Sequence, residues 1–308
     1  MKTIRVGVVG VGHLGQHHAR LLAAMDDVEL VGIVDVNRGR AEEIAAKFGA
    51  PALGDAGELI GRADAVTIAV PTIAHVEVAL PFLLAGVATL VEKPIAPSVA
   101  DADQLVEAAE RGGAMLATGH TERFNPAVAA ALPMISEPRF IEIHRLGTFP
   151  ERSLDIDVIF DLMIHDLDLL LSVVRSEVTD IEAVGVNVLT PRADIANARL
   201  RFASGCIANV TASRISRERV RKARFFQNDA YVSIDYAAQE LEVFRLVKNG
   251  PRPIIQGGKV TVASEEPLRR ELADFVEAVR TSRRPGVTGR DGRQALELAT
   301  RVADTMGI

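Results

Sequence analysis

The sequence predicts an α/β domain built on a doubly wound parallel sheet, followed by an α+β domain with a largely antiparallel, open sheet. Three observations carry this reading. Strand-like and helix-like stretches alternate up to about Gly119, the alternation stops after Pro126, and hairpin turn pairs follow. A chain of 308 residues exceeds one ordinary core and suits two. The domains are therefore expected at 1–121 and 122–308.

The first domain reads in βα order. Ile4 to Val9 is a short strand, interrupted by Arg5 and Gly7 where the apolar core of a leader peptide would continue unbroken. Leu14 to Met25 has helical spacing, Val28 to Val34 is an apolar strand, and Arg38 to Phe48 is helical again. Ala65 to Val70, Thr72 to Leu84, Thr89 to Val91, Val99 to Glu110 and Ala114 to Thr118 continue the rhythm. Gly49 and Gly86 stand where helices end, and Asp55 with Glu58 has the spacing of a capping box.

In the second domain, Arg139 to Phe149 reads as a long strand and Val158 to Val174 as one very apolar helix. Ser204-Gly205 and Asn228-Asp229 each separate β-rich runs and predict two hairpins. Pro267 to Thr281 and Gln294 to Met306 read as closing helices.

Composition narrows the function classes. Hydrophobic residues at 48% and charged residues at 25% describe a packed chain, not a disordered one. Lys+Arg at 35 against Asp+Glu at 41 leaves a net charge of −6, which argues against nucleic acid as a partner. No stretch of about 18 apolar residues runs without a charge, so no membrane span is expected. The single Cys206 cannot form an internal disulfide and fits a reducing compartment, so the expectation is a soluble cytoplasmic protein.

The chemistry starts at Gly10-Val11-Gly12-His13-Leu14-Gly15, which follows a strand and opens a helix, with Asp35 20 residues beyond Gly15 at the end of the next strand. The first glycine permits the tight turn, the second lets backbone approach a pyrophosphate, and the third allows close packing, while the helix N-terminus favours phosphate charge. A carboxylate at Asp35 suits a ribose diol and repels a 2′-phosphate, so this Rossmann pattern predicts NAD over NADP. Arg38 speaks for the other choice. The expected cofactor contacts are Gly10, Gly12, His13, Leu14 and Gly15, then Asp35, Val36 and Asn37, then Val70 and Pro71, then Glu92 and Lys93. His75, one turn into the helix after Pro71-Thr72, is expected to face the cofactor, the alternative being a solvated or capping residue.

Glu92-Lys93-Pro94 ends a parallel strand, at the sheet edge where ligands bind. An ammonium there can hydrogen-bond a substrate hydroxyl and stabilise negative charge, if desolvated and paired with Glu92; otherwise it is a loop entry. Asp161, His165 and Asp168 stand at i, i+4 and i+7 of the apolar helix and share one face. His165 can accept a hydroxyl proton while Asp161 fixes its tautomer. A satisfied internal network and a metal pair are the competing readings of this stripe, and no metal is assigned.

His120, Arg123 and Asn125 cluster at the domain junction and are expected to line a substrate cleft, with Lys93, Asp161 and His165. The imidazoles of His13, His17, His18 and His144 show no such pairing and read as structural or exposed. The run Arg214, Arg217, Arg219, Arg221, Lys222 and Arg224 is either a solvated face or, with Arg214 assigned to substrate, a phosphate contact.

The glycine turn, "AVPTIAH", "EKP", "GHTERFNP" and "DLMIHDLD" together resemble the Gfo/Idh/MocA oxidoreductase family over nearly the whole chain. The resemblance implies a Rossmann domain, an α+β domain whose open sheet forms subunit contacts in a homo-oligomer (dimer or tetramer), and oxidation or reduction of sugars, polyols or their nucleotides with NAD or NADP. The family lysine corresponds to Lys93, and its Asp and His to Asp161 and His165. Val158-Ile159-Phe160 depart from the glycine run that many members carry before that Asp. Within the family, "VIFDLMIHDLDLLL", "SRISRERVRKARFF" and "YVSIDYAAQELEVFR" are most similar to sugar-nucleotide dehydrogenases acting at C3 of UDP-N-acetylglucosamine. That implies NAD as oxidant, a 3-keto product, and a diphosphate for the arginine segment. A free sugar or inositol-like polyol as substrate, a dinucleotide-binding regulator without turnover, and a metal hydrolase are the alternatives.

Overall fold

The structure, a computed structural model, describes residues 2–149, 156–248 and 252–308. The chain forms two compact units. In the first, β1 (Ile4–Val9), α1 (Gly15–Ala23), β2 (Val28–Val34), α2 (Arg38–Phe48), β3 (Ala65–Ile68), α3 (His75–Leu84), β4 (Ala88–Glu92), α4 (Val99–Gly112) and β5 (Leu116–Gly119) alternate as the periodicity predicts. The five strands are parallel in the order β2-β1-β3-β4-β5. The chain leaves β2, crosses β1 and resumes at β3, so the order reverses beside the C-terminal end of β1, where an open sheet leaves a crevice.

Local chemistry sets the element ends. The Asn37 side chain caps α2 by accepting from the Arg40 amide, and Gly49 ends it at φ 69°. Ser98 caps α4 in the same way. That helix runs past Glu110 to Gly112, because Gly113 (φ 63°) is the residue that turns left-handed. The Asp55–Glu58 capping box is present.

The second unit holds α5 (Pro126–Ala131), β6 (Phe140–Leu146), α6 (Ile164–Val173), β7 (Val178–Val186), β8 (Ile195–Phe202), β9 (Ile207–Ser213), β10 (Val220–Phe226), β11 (Ala230–Asp235), β12 (Glu240–Val247) and β13 (Ile254–Val260). Its eight strands lie in the order β13-β12-β11-β10-β6-β9-β8-β7, and all neighbours are antiparallel except β6 and β9. Both expected hairpins form, β8 to β9 around Gly205 (φ 83°) and β10 to β11 around Asn228-Asp229. One sheet face is apolar and buried, as in Ile141, Ile143, Ala198, Leu200, Val210, Ala223, Phe225 and Val232. The expected single helix from Val158 to Val174 instead opens with a π-helical turn, Ile159–Met163, which packs on β9 and leads into α6.

The unit boundary differs from the expected 122–308. Of α7 (Pro267–Thr281) and α8 (Gly289–Thr305), residues 268–296 belong to the first unit, and the last turns of α8 to the second. The physical reason is α7's apolar face: Leu272, Phe275 and Val276 are buried with Ile4, Val6, Ala19 and Leu22. Each such side chain contributes about 1.5–3 kcal/mol on burial. Helix α8 begins ahead of the expected Gln294, because Thr288 and Asp291 cap it reciprocally.

Candidate active site

In the first unit, the turn after β1 has the geometry its glycines predict. Gly10 sits at φ 83°, and a Cβ there would lie 2.8 Å from the Ala69 backbone. A Cβ at Gly15 would lie 1.7 Å from the Gly10 carbonyl oxygen, whereas one at Gly12 would meet nothing within 4 Å. The middle glycine therefore faces open space at a helix N-terminus, and a pyrophosphate fits there. Asp35 is held by two backbone donors, Val11 N to Oδ2 and Asn37 N to Oδ1, both at 2.8 Å. Gly12, His13, Leu14, Val36 and Asn37 are exposed, and Val36 and Leu14 present apolar surface. The nearby cations are engaged. Arg38 pairs with Glu42, while Arg40 binds the Val11 carbonyl, Glu43 and Gln16. The residues present thus suit an unphosphorylated ribose.

Lys93 is half-buried at the end of β4. Its neighbour Glu92 is buried and accepts from His18 Nε2 at 3.0 Å and from the Lys93 amide at 3.2 Å. Burial pushes the Glu92 carboxyl up, but the hydrogen bond and charge of His18, and then Lys93, hold it below the ordinary carboxylate range. His18 was expected to be structural or exposed and unpaired; it is fully buried on α1 and paired with the very carboxylate that precedes Lys93. The signal was available in its spacing, because His18 and Leu22 lie one turn apart on the inward face of α1.

His75, expected to face the cofactor or to be solvated or a cap, is turned inward. It is buried at the start of α3, with Nδ1 2.9 Å from the Pro94 carbonyl oxygen and 3.3 Å from that of Ile95, and Nε2 3.0 Å from that of Val70. Burial lowers its pKa, and the three carbonyls oppose that shift. Val70 and Pro71, at the end of β3, are half-buried and exposed respectively.

In the second unit the helix stripe splits. Asp161, in the π-helical turn, and His165, in the first turn of α6, are both half-buried. The intervening Met163 and Ile164, and Val158, Ile159, Leu167, Leu169 and Leu170, are buried as an apolar helix requires. Asp168 instead lies in the interior, gripped by Arg123 at 2.7 and 2.9 Å. Asp166 is gripped the same way by buried Arg145 at 2.7 and 2.8 Å, and Arg145 also reaches Glu122 at 2.9 Å. Burial raises the Asp166 pKa while the Arg145 charge lowers it, with the rise winning. The expected trio reduces to a pair, Asp161 and His165.

Three expected substrate residues have internal occupations. Arg123 holds Asp168. Asn125, buried, caps α5 by accepting from the Ala127 amide and donates to the Tyr236 carbonyl at 3.0 Å. Arg214, also buried, is enclosed by Asp194, Thr190 and the Ile156 carbonyl. A basic run cannot show which of its members are already paired, and Arg214 is the one that is wholly spent. His120 is buried directly after β5. Among the described residues no cluster of His, Cys, Asp and Glu forms a metal site.

Fold and site define a two-unit, dinucleotide-dependent oxidoreductase. Residues 4–120 match the oxidoreductase family with an NAD-binding Rossmann fold, and residues 99–231 match the GFO/IDH/MocA C-terminal domain. The chain belongs to the GFO/IDH/MocA family, and its cofactor is NAD. It is 40% identical over 303 residues to UDP-N-acetylglucosamine 3-dehydrogenase of Acidithiobacillus ferrooxidans, covering 97% of this chain and 96% of that one. A solved structure of that enzyme matches with a TM-score of 0.93 at 38% identity, over 99% and 98% of the two chains. Myo-inositol 2-dehydrogenase of Thermotoga maritima is 28% identical over 326 residues, covering 96% and 94%.

Proposed function

We propose that this protein oxidises the C3 hydroxyl of UDP-N-acetylglucosamine to the 3-keto sugar. The observation that carries the reading is the 40% identity to a UDP-N-acetylglucosamine 3-dehydrogenase across 97% of the chain. When bound, NAD supplies the acceptor for the hydride that leaves C3. The chain's own residues handle the rest. Lys93 donates a hydrogen bond to the reacting oxygen and stabilises charge on it as its proton departs. His165 takes that proton, and Asp161 orients the imidazole and stabilises the imidazolium. Gly10, Gly12, His13, Leu14, Gly15, Asp35, Val36, Asn37, Val70 and Pro71 form the cofactor surface in this reading.

A cyclitol substrate is the second reading, favoured by the 28% identity to an inositol dehydrogenase. The test is a panel of UDP-N-acetylglucosamine, UDP-N-acetylgalactosamine, UDP-glucose and myo-inositol with NAD. NADH absorbance and mass spectra are recorded for each. Turnover of the first, with loss of two hydrogens from the sugar nucleotide, is expected. Preferential turnover of myo-inositol establishes the second reading, and NADH binding without turnover of any member makes the protein a regulator.

The reading includes a cytoplasmic homo-oligomer. A single, buried cysteine, Cys206, which has no internal partner for a disulfide, supports the compartment. Among the described residues no helix is long and apolar enough to cross a membrane. The outer face of the eight-stranded sheet supports assembly: Phe140, Phe226, Tyr231 and Phe244 form a ladder of rings across adjacent strands, and Phe226 and Phe244 are exposed.

A further inference from the structure

We propose that His18 and His75 are positioning residues for Lys93, each gripping the chain on one side of it. The catalytic role of Lys93 is taken from the function proposed above. On the N-terminal side, the only hydrogen bond of the buried His18 ring among the described residues is from Nε2 to Glu92 Oε1 at 3.0 Å, for its Nδ1 has no partner. The ring proton therefore sits on Nε2 and is donated to the carboxylate. The other oxygen, Oε2, accepts the Lys93 amide at 3.2 Å. The carboxylate has little room to move, since a Cβ at Gly119 would lie 2.9 Å from its carbon and both oxygens.

On the C-terminal side, His75 Nδ1 faces the Pro94 and Ile95 carbonyls while Nε2 faces that of Val70. The buried ring, its pKa lowered, carries one N–H, and with that proton on Nδ1 it is donated to the carbonyls that follow Lys93 and fastens them to the start of α3. Pro94 further restricts the backbone of Lys93 itself. The lysine side chain is launched from a backbone fixed at both ends, which is the arrangement that preorganises a reacting group.

Energetics favour this account over one of stability alone. A buried ion pair is often no more stable than apolar residues of like volume. The position of Glu92 and His18 next to Lys93 is explained by geometry. The two grips come from α1, which follows the glycine turn, and from α3, which follows Val70-Pro71. The elements assigned to the cofactor are therefore the ones that hold the lysine.

The test uses the full chain with His18→Leu and His75→Leu, beside His18→Gln and His75→Asn, whose amides put a donor back at Nε2 and Nδ1 respectively. Each Leu variant should lower kcat with UDP-N-acetylglucosamine about 10- to 100-fold, the scale of a small misplacement of a reacting group, with NADH affinity unchanged. The amide variants should restore most of it. In a Lys93→Ala background the same Leu substitutions should cost nothing further, because their effect passes through Lys93. Equal losses in both backgrounds, or no loss with Lys93 present, overturn the proposal.

A second readout needs neither substrate nor cofactor. Acetylation of Lys93 by an N-hydroxysuccinimide ester, followed by mass spectrometry, should become several-fold faster in the Leu variants and return in the amide variants, with Lys47 constant. An unchanged Lys93 rate overturns the proposal. Should the wild type leave UDP-N-acetylglucosamine untouched, the function fails while this readout still decides the positioning. If a Leu variant does not bind NADH stoichiometrically, His18→Asn and His75→Gln replace it, since each puts its amide at the wrong ring position.

Discussion

Arg214 and Asp194 form a closed ion pair inside the second unit, with Nε donating to Oδ1 at 2.9 Å and side-chain exposures of 1% and 0%. The other carboxylate oxygen accepts the amides of Val188, Leu189 and Thr190. Burial alone would push the Asp194 carboxyl up, but the Leu189 and Thr190 amides, the Thr190 hydroxyl and Arg214 hold it far below the ordinary range. A depressed folded-state pKa contributes stability that is present above the unfolded value, about 3.9, and is lost as pH falls towards the folded one. Asp194→Asn should therefore cost about 3–5 kcal/mol at pH 7, the scale for a buried charge left unpaired. Urea denaturation should show that gap narrowing below about pH 4; a gap constant down to pH 3 contradicts it.

The proton transfer is tested by His165→Ala and Lys93→Ala. Each should lower kcat roughly 10²- to 10⁴-fold, the usual contribution of a placed acid or base. NADH affinity, set by the glycine turn and Asp35, should hold. The double variant should lose less than the product of the single losses if, as proposed, the two groups serve one hydroxyl. A near-normal kcat in His165→Ala would leave Lys93 or a water as the base.

Cofactor choice follows from Asp35 and its neighbours. Arg38 and Arg40 pair with Glu42 and Glu43, which competes with their meeting a 2′-phosphate. The ratio of kcat/KM for NAD over NADP should exceed about tenfold, or about 1.4 kcal/mol. In Asp35→Ala the ratio should shrink, and KM for NAD should rise too, because Val11 and Asn37 lose their acceptor.

Under the proposed function, Arg221 is the member of the basic run expected to meet the diphosphate. It has the same strand parity as buried Ala223 and Phe225 and lies opposite Arg145 in register, so it belongs to the sheet face that receives α6. Arg145 is committed to Asp166 and Glu122, whereas Arg221 is exposed. Arg221→Gln should raise KM for UDP-N-acetylglucosamine about tenfold or more, in line with one lost charge-assisted hydrogen bond. Activity on a free sugar or myo-inositol should be unaffected; an equal effect there would show that Arg221 meets no diphosphate.

The first unit was legible because its strands are buried on both faces and its turns need glycine, so period and punctuation agree. Asp35 and Lys93 could be placed from that framework alone. The π-helical turn was not legible: Val158, Ile159 and Phe160 are apolar on every side and carry no phase, so nothing marked where the α-helical spacing begins. His18 and His75 were misplaced for a different reason. Spacing along α1 marks His18 as facing inward, but their partners, backbone carbonyls and a glutamate 74 residues away, are not revealed by local spacing. Arg123, Asn125 and Arg214 show the same limit, since a polar residue that is already paired looks in sequence like one that awaits a ligand.

Helix α7 bears on synthesis as well as on the finished fold. A chain growing from its N-terminus completes residues up to Thr121 long before Leu272, Phe275 and Val276 are made. At the usual ribosomal rates the interval is roughly eight to thirty seconds. Through it, the nascent first unit carries a bare apolar groove around Ile4, Ala19 and Leu22, waiting for a helix that has yet to leave the ribosome. A ribosome stalled between the two segments would release a Rossmann unit whose sheet is complete and whose core is open.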